Sequence, residues 1–498
     1  MSGPVGPQEK EGIWIISVIG ASIRKLRDDA WDASISPDGS KIVFRDVENH
    51  HIWIMGADGE QPKELIKPEE GYHLGKPTWF PDGRRIAYVK WHVEKGRLTL
   101  LVESRNADGN DPVTLISNAQ LVDFAWRGSD RMLYVVGEAP PNQYDSNIWE
   151  LRFDPQTGKP RSAPRQLTDW TGFNFQNPEL TADGKRLVFL NTHAQSDVYV
   201  GELAGGNSEL KAPRRFTLDE RLDWPGGWSS DSKSLVIYSD RNGNFDIYRQ
   251  NLDSTNAEPI ATGPEEKWAP QITADGKWVV FMAWPKSGDI ANSGKLMRVP
   301  VSGGPAEFIM NIKGHPGIVS SNDPSETAGG FPSFRCPRQG TSCILAERED
   351  RKQIVFTAFD PVQGKKAQVA TVPRRPDRPA MWDVAPDGSR IAVSSYEENA
   401  GDIQILPLSS GEPKKISVKN WNRFSAIAWA ADGRSLFAAS FSSRGTSVVH
   451  VSLNGDAIEL FKPVWDIFSL SPSPDGRSLA IGAIVTNANA WTIPNLPK

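Results

Sequence analysis

Catalysis or metal binding in this chain would have to start from seven histidines (His50, His51, His73, His92, His193, His315 and His450) and two cysteines. None of the histidines stands in an H-E-x-x-H or Cys/His spacing that would gather them on one zinc ion, so they are expected on the surface or in packing. Asp240-Arg-Asn242-Gly-Asn244-Phe-Asp246 offers oxygens at alternate positions, as a calcium loop does. An EF-hand loop needs Gly at its sixth position and Glu at its twelfth; here those are Phe245 and Asn251, and a hairpin turn accounts for the stretch. Gly227-Trp-Ser229-Ser-Asp231 has the start of a nucleophile elbow but neither its closing glycine nor a βα context. The pairs Arg214-Arg215 and Arg374-Arg375-Pro-Asp-Arg378 lie beside acidic residues, as a solvated face does. A net charge of −5, from 56 basic and 61 acidic side chains, gives no reason to expect nucleic acid or an anionic membrane as partner. No catalytic residue, metal or cofactor is expected.

Cys336 and Cys343 flank a hairpin turn, PRQGTS. Strands facing each other there would allow a disulfide, with two reduced buried thiols the preferred expectation. The tryptophans, 18 in all, carry more information. Trp31, Trp224 and Trp268 each precede a recurring Asp by seven residues, and Trp382, Trp421 and Trp465 stand at roughly similar places. They could line an opening and stack on a peptide or sugar, or pack between neighbouring sheets as large aromatics do; packing is the preferred expectation.

The recurring Asp belongs to a repeat. ISPDGSKIVF (35–44) returns as WFPDGRRIAY, LTADGKRLVF, ITADGKWVVF, VAPDGSRIAV, WAADGRSLFA and PSPDGRSLAI, and WSSDSKSLVI keeps Asp231 but replaces the glycine by Ser232. In each copy an Asp-Gly turn, where Gly admits positive φ and Asp bonds its own backbone, leads into an apolar strand. Two further strands follow, as in HIWIMGA (51–57) and KELI (63–66). A four-stranded antiparallel meander in about 45 residues is a propeller blade.

Ten such repeats follow one another, from Asp38 to Asp475. The fold class is therefore all-β, a β-propeller of about ten four-stranded blades, as one wide ring or two propellers. Residues 1–12 are expected to be disordered. Repeats one to six, with N-terminal closing strands, fill 13–310, a loop or junction fills 311–330, and repeats seven to ten fill 331–498. The last repeat shows three strands, ending in AWTIP (490–494), and SIRKLRD (22–28) is the candidate to complete it, because closing a ring removes exposed edges. A crossed arrangement with both termini in one ring stays open.

The S-x-D-G-x-x-I/L-x-F/Y pattern, with S-D-R-N-G-N-x-D-I-Y at 239–248 and the ending NANAWTIPN, resembles the TolB-type propeller repeat, a Pro-Asp variant of WD-type blades, over nearly the whole chain. It is most similar to propeller regions appended to bacterial serine/threonine kinases and winged-helix regulators. The resemblance implies a non-catalytic platform for protein, peptide or ligand contacts, the sensor part of a bacterial regulatory or envelope system. The alternative is a lyase or hydrolase with its site in a central channel, which would need ionisable groups on the innermost strands, where the sequence places mainly Ile, Leu, Val, Trp, Ser and Thr. The N-terminus lacks the pattern of a signal peptide, giving a cytoplasmic expectation, or an extracytoplasmic one if the chain is a fragment of an envelope protein. No apolar run reaches the length of a membrane helix.

Overall fold

The structure is a computed structural model and describes all residues except 1–11, 18–22, 48, 95–96, 139–144, 155, 182, 287–293, 315–331, 350–352, 374–379, 396–400, 422, 443–444, 495 and 497–498. Among the described residues it is all β, without a helix, and its strands assemble into successive antiparallel sheets of propeller blades.

The recurring Asp does what its spacing predicts. Oδ1 of Asp38 accepts from the Ser40 amide at 3.0 Å and from the Ser36 hydroxyl at 2.6 Å. Asp183, Asp231, Asp275 and Asp475 repeat both bonds, each with the Ser or Thr two residues earlier. That hydroxyl also accepts an amide from the next strand, as Ser36 does from Lys41 at 2.9 Å. The following glycine takes positive φ (Gly39, +73°), and Ser232 holds the same conformation at +60° without being glycine. Hydroxyl and carboxylate together fix the turn, so the Asp is structural.

The chain forms two units. Unit 1 comprises Met1–His193 with Asn487–Lys498, and unit 2 comprises Ala194–Thr486. The boundaries thus fall at 193/194 and 486/487, and the junction expected at 311–330 is not one of them; most of that stretch, 315–331, lies outside the described residues, as does nearly all of the expected disordered segment 1–12. Both termini belong to unit 1, the crossed arrangement that the sequence left open.

Two long strands, Leu187–Ala204 and Ser478–Ile493, carry the chain across these boundaries. Each was expected to be a hairpin. Neither has Gly or Pro where the turn would fall: none lies between Leu187 and Val200, nor between Ala483 and Ile493. With no residue to punctuate it, β-structure runs straight through.

In unit 1, four-stranded sheets start from Ala30–Ile35, Tyr72–Trp79 and Leu121–Arg127. Phe175–Leu180 begins a further sheet with the first part of Leu187–Ala204. SIRKLRD does not close the last blade: Ile23–Asp28 pairs with Gly12–Ile16 in a separate two-stranded sheet.

In unit 2, five four-stranded blades start from the inner strands Asp223–Trp228, Glu266–Ile272, Ser333–Arg335, Ala380–Val384 and Phe424–Trp429. The sixth is composite. Asp466–Pro472 and the start of Ser478–Ile493 come from the end of the unit, and the second part of Leu187–Ala204, with Arg214–Arg215, comes from its beginning. The Leu203 amide donates to the Arg477 carbonyl at 2.8 Å in this closure. Trp228 Nε1 donates to the Ser471 carbonyl at 2.8 Å and the Asp475 amide donates to Ser232 Oγ at 3.1 Å, joining first blade to sixth. Between blades lie apolar clusters such as Val280, Met282, Trp284, Phe334 and Leu345, all buried; burial of such side chains stabilises by about 1.5–3 kcal/mol each. Six blades so joined form a closed ring around a channel.

Candidate functional site: the channel of unit 2

The six inner strands of unit 2 surround a cavity of about 600 Å³. One wall is aromatic. Trp224 on the first blade sits 4.0 Å, ring centroid to centroid, from Phe468 on the sixth and 6.0 Å from Tyr238 beside it. Tyr238 is 5.9 Å from Trp268 on the second blade, which in turn is 4.7 Å from Phe245. Phe468, Trp224, Tyr238 and Trp268 therefore form a continuous arc along the channel. A bulge after Pro225 and another after Trp268 interrupt the pairing with the second strand. The residues that follow Trp224 are Pro225, Gly226 and Gly227, and the two glycines let the backbone of the second blade approach closely.

The facing wall is polar. Ser333 and Arg335 come from the third blade, and Asp383 from the fourth. Arg335 Nε lies 3.6 Å from Asp383 Oδ1. Asp383 Oδ2 accepts the Trp429 amide from the fifth blade at 2.8 Å. Burial pushes the Asp383 carboxyl up from its ordinary range, against the pull of Arg335 and of the amides that bond it. Trp382 Nε1 donates to Ser333 Oγ at 2.8 Å, and the Arg335 guanidinium stands 5.4 Å from the Trp382 ring. The Tyr238 hydroxyl is pushed up by burial and held back by Arg335.

Farther along the same wall, the loop after the third blade's inner strand is closed by a disulfide between Cys336 and Cys343. The reduced thiols preferred from the sequence are thereby corrected. The hairpin brings the two side chains into facing register across a six-residue turn, and Cys343 is buried. Between them Arg338 reaches back to the sixth blade, where its Nη2 donates to the Pro472 carbonyl at 2.6 Å. Its Nη1 is buried without an acceptor, and burial pulls the guanidinium pKa down.

The six tryptophans singled out in the sequence separate into groups. Trp224, Trp268 and Trp382 line the channel, and Trp382 is also packed between blades, 5.1 Å from Phe356. Trp421 packs on the cluster between the fourth and fifth blades, and Trp465 stacks on Tyr199 at 4.6 Å. Trp31 belongs to unit 1, where Arg45 stands 5.9 Å from its ring. Sequence reasoning missed Trp228 and Trp429, which precede their repeat Asp by three residues, and it missed Phe468, which keeps the seven-residue offset from Asp475 but is not a tryptophan. It missed Arg335, Arg338 and Asp383 because only the ring order makes them neighbours.

Ionisable groups do stand on innermost strands, contrary to the sequence expectation. Besides Arg335 and Asp383, unit 1 carries Asp32, Lys76 and Asp123 there. Asp32 Oδ2 accepts from Arg45 Nε at 3.2 Å, Arg45 Nη1 lies 3.2 Å from His50 Nδ1, and Lys76 pairs with Asp123. The earlier candidates for chemistry are engaged separately. Asp240 Oδ1 accepts the Leu222 amide, Asn242 bonds Tyr248, Asn244 bonds Gly263 and Asp246 pairs with Lys267. Ser229 bonds Asp231 inside its turn, and Arg215 pairs with Asp197. The Arg374–Arg378 cluster lies outside the described residues. Among the described residues no three His, Cys, Asp or Glu side chains are placed to hold a metal ion, and no helix is long and apolar enough to cross a membrane.

No family model matches the chain. A 115-residue segment, 23% of this chain, is 30% identical to an uncharacterised protein of Agrobacterium fabrum (strain C58) and spans 36% of that protein's length. Among solved structures the chain is similar to TolB from Acinetobacter baumannii, at 17% identity over 69% of this chain and 79% of that one, with a TM-score of 0.25. It is also similar to an oligogalacturonate lyase in complex with manganese, at 12% identity over 74% of this chain and 84% of that one, with a TM-score of 0.31. These likenesses concern the fold alone: the chain is an all-β, multi-blade propeller protein.

Proposed function

We propose that this protein is a binding module and that the channel of unit 2 receives its ligand. The observation that carries the reading is the division of one cavity into an aromatic arc (Phe468, Trp224, Tyr238, Trp268) and a facing polar wall (Ser333, Arg335, Asp383). Concave, largely apolar sites with a few fixed polar groups are how proteins orient small ligands and peptide segments. Tryptophan supplies large contact area at low entropic cost, which makes it a common anchor. A peptide segment of a protein partner fits this chemistry.

The broader role we infer is that of a sensor or adaptor in a bacterial regulatory or envelope system, of the kind whose propeller is joined to a kinase or winged-helix regulator. The Cys336–Cys343 disulfide supports an oxidising compartment, since such bonds persist chiefly outside the reducing cytosol. A second reading, a channel-site lyase or hydrolase, draws on the Arg335–Asp383 pair. Asp383 already accepts the Trp429 amide and is ion-paired with the Arg335 guanidinium, which suits positioning more than proton transfer.

Pull-down from the source cell with the wild type, Trp224→Ala and Trp268→Ala tests the binding reading. Loss of partners from both variants is expected. An unchanged partner set, with both variants folded by circular dichroism, would remove the channel as the site.

A further inference from the structure

We propose that the channel of unit 2 recognises the free C-terminal carboxylate of an extended peptide about four residues deep, with Arg338 as the group that receives it. This rests on the binding reading above and names what the site selects.

The ring order makes Arg338 unusual. It leaves the third blade and ends on the Pro472 carbonyl of the sixth, three places round a six-bladed ring, so it crosses the channel. Its Nη1 is buried and has no acceptor. Among the described residues no carboxylate stands within ion-pair distance of it, whereas Arg335 close by has Asp383 at 3.6 Å. Asp383 and Asp475 act on Arg338 only from farther away, and a buried donor without an acceptor is costly and asks for a partner. The two arginines and Asp383 are the charged residues on the channel lining, which leaves one positive charge over. One unit of charge suits a carboxylate better than a phosphate dianion, and guanidinium–carboxylate bonds are among the stronger hydrogen bonds in proteins.

The distance between the two ends sets the ligand's length. Trp228 donates to Ser471 and Arg338 to Pro472, so the two lie at the same depth. The arc around Trp224 is four residues earlier on the first blade's strand, but the bulge takes up one of them, so the interval equals the three steps from Tyr238 to Leu235 on the paired strand, or about 10 Å at roughly 3.3 Å per residue. An extended peptide covers that span with about four residues. Between the ends the lining mixes small or apolar groups such as Gly226, Ala269 and Ile272 with polar ones such as Gln271, Ser425 and Ser469. This mixture suits the alternating side chains and amides of a peptide. One more donor on the lining, Trp224 Nε1, is buried without an acceptor and matches a carbonyl of a peptide. The disulfide that closes the Arg338 loop keeps the guanidinium in place before the ligand arrives.

The test uses the immobilised full chain and an equimolar pool of N-acetylated tetrapeptides, prepared as free acids and as C-terminal amides, with retained species read by mass spectrometry. The wild type is expected to enrich acids over amides by about tenfold or more. Arg338→Gln should bring the ratio near one without lowering amide retention, and Arg338→Lys, which keeps the charge, should retain part of the preference. Trp224→Ala should lower retention of acids and amides alike. Equal retention of acids and amides by the wild type, or a preference that survives Arg338→Gln, would overturn the proposal. So would retention of a tetrameric uronate oligosaccharide above that of every peptide acid. Retention that falls in Trp224→Ala with no acid preference sinks the carboxylate inference and leaves the binding reading standing; retention indifferent to Trp224→Ala sinks both. Melting curves of each variant establish that it is folded.

Discussion

Arg338 Nη2 donates to the Pro472 carbonyl at 2.6 Å, so a side chain of the third blade ends on the backbone of the sixth. The bond spans 134 residues of sequence. It places the guanidinium where water is scarce and leaves Nη1 without an acceptor. A site shaped for a ligand tolerates such a cost. Arg338→Met should therefore leave the ligand-free protein as stable or raise its stability by about 1 kcal/mol, because an apolar side chain of similar length removes the buried charge. Denaturant unfolding checks this; a loss of more than about 1 kcal/mol would mean that the Pro472 bond matters more than the charge.

Asp223 predicts a pH dependence. It is fully buried, with Arg241 at 3.0 Å from its Oδ1. Burial pushes its carboxyl up to about 7, with the Ser239 hydroxyl pulling down and the neighbouring Asp219 adding to the rise. A carboxyl raised in the folded state takes up its proton before the unfolded chain does. Between about 7 and the ordinary 3.8 the native form holds more protons, and stability rises as the pH is lowered. Asp223→Asn removes that increment, so the wild type should gain on the variant from pH 7 down to pH 4. The turn carboxylates have the opposite sign. Asp38 is held at about 2, chiefly by the Ser36 hydroxyl, so its contribution is present above 3.8 and lost as the pH falls toward 2. Unfolding curves across pH 3–8 distinguish the two; a difference between wild type and Asp223→Asn that does not change with pH would contradict the assignment.

The disulfide closes a loop with a sequence separation of seven. Loop-closure entropy for so short a ring amounts to about 2–3 kcal/mol. Cys336→Ser/Cys343→Ser, or the wild type with a thiol reductant, should lose about that much by calorimetry while the ring stays folded, because the other five blades do not depend on this turn. Intact stability under reductant would show that the turn holds without the bond.

Two glycines separate strain from crowding. Gly39 has φ +73° and open space where a Cβ would go, so Gly39→Ala should cost about 1 kcal/mol, from the backbone alone. Gly226 lies on the channel strand, and a Cβ there would meet the Pro270 carbonyl at 2.5 Å and the Val236 carbonyl at 2.8 Å. Gly226→Ala should cost more, about 3 kcal/mol, because backbone on both sides must move. Equal costs in denaturant unfolding would indicate that the blades separate more easily than their packing suggests.

The repeat was legible because each copy is written locally. Asp, Gly and the Ser or Thr before them bond within five residues, so the turn follows from neighbours in sequence, and with it the blade and the all-β class. Trp224 and Trp268 carry a local mark, a fixed offset from their turns, but the sequence favoured packing between blades for them, and only the ring places them on the channel. Trp421 and Trp465 share a composition cue but not that register, and they pack between blades instead.

The closure was not legible. Leu187–Ala204 pairs with Ser478–Ile493, about 290 residues away in sequence, and strand pairing at that separation is chosen by which edges remain open once the local meanders have formed. The only local sign was the missing Gly or Pro at the two places where a hairpin was expected. The site depends on that closure. Arg338 and Pro472 become neighbours, and Phe468 joins Trp224, only when the sixth blade is completed by strands from the beginning of unit 2. The sequence by itself therefore determined the blades and their turns, which are short-range. Tertiary structure alone decided the ring, the close carboxylate that Arg335 has and Arg338 lacks, and so the channel's chemistry, because those are relations between residues that no local rule connects.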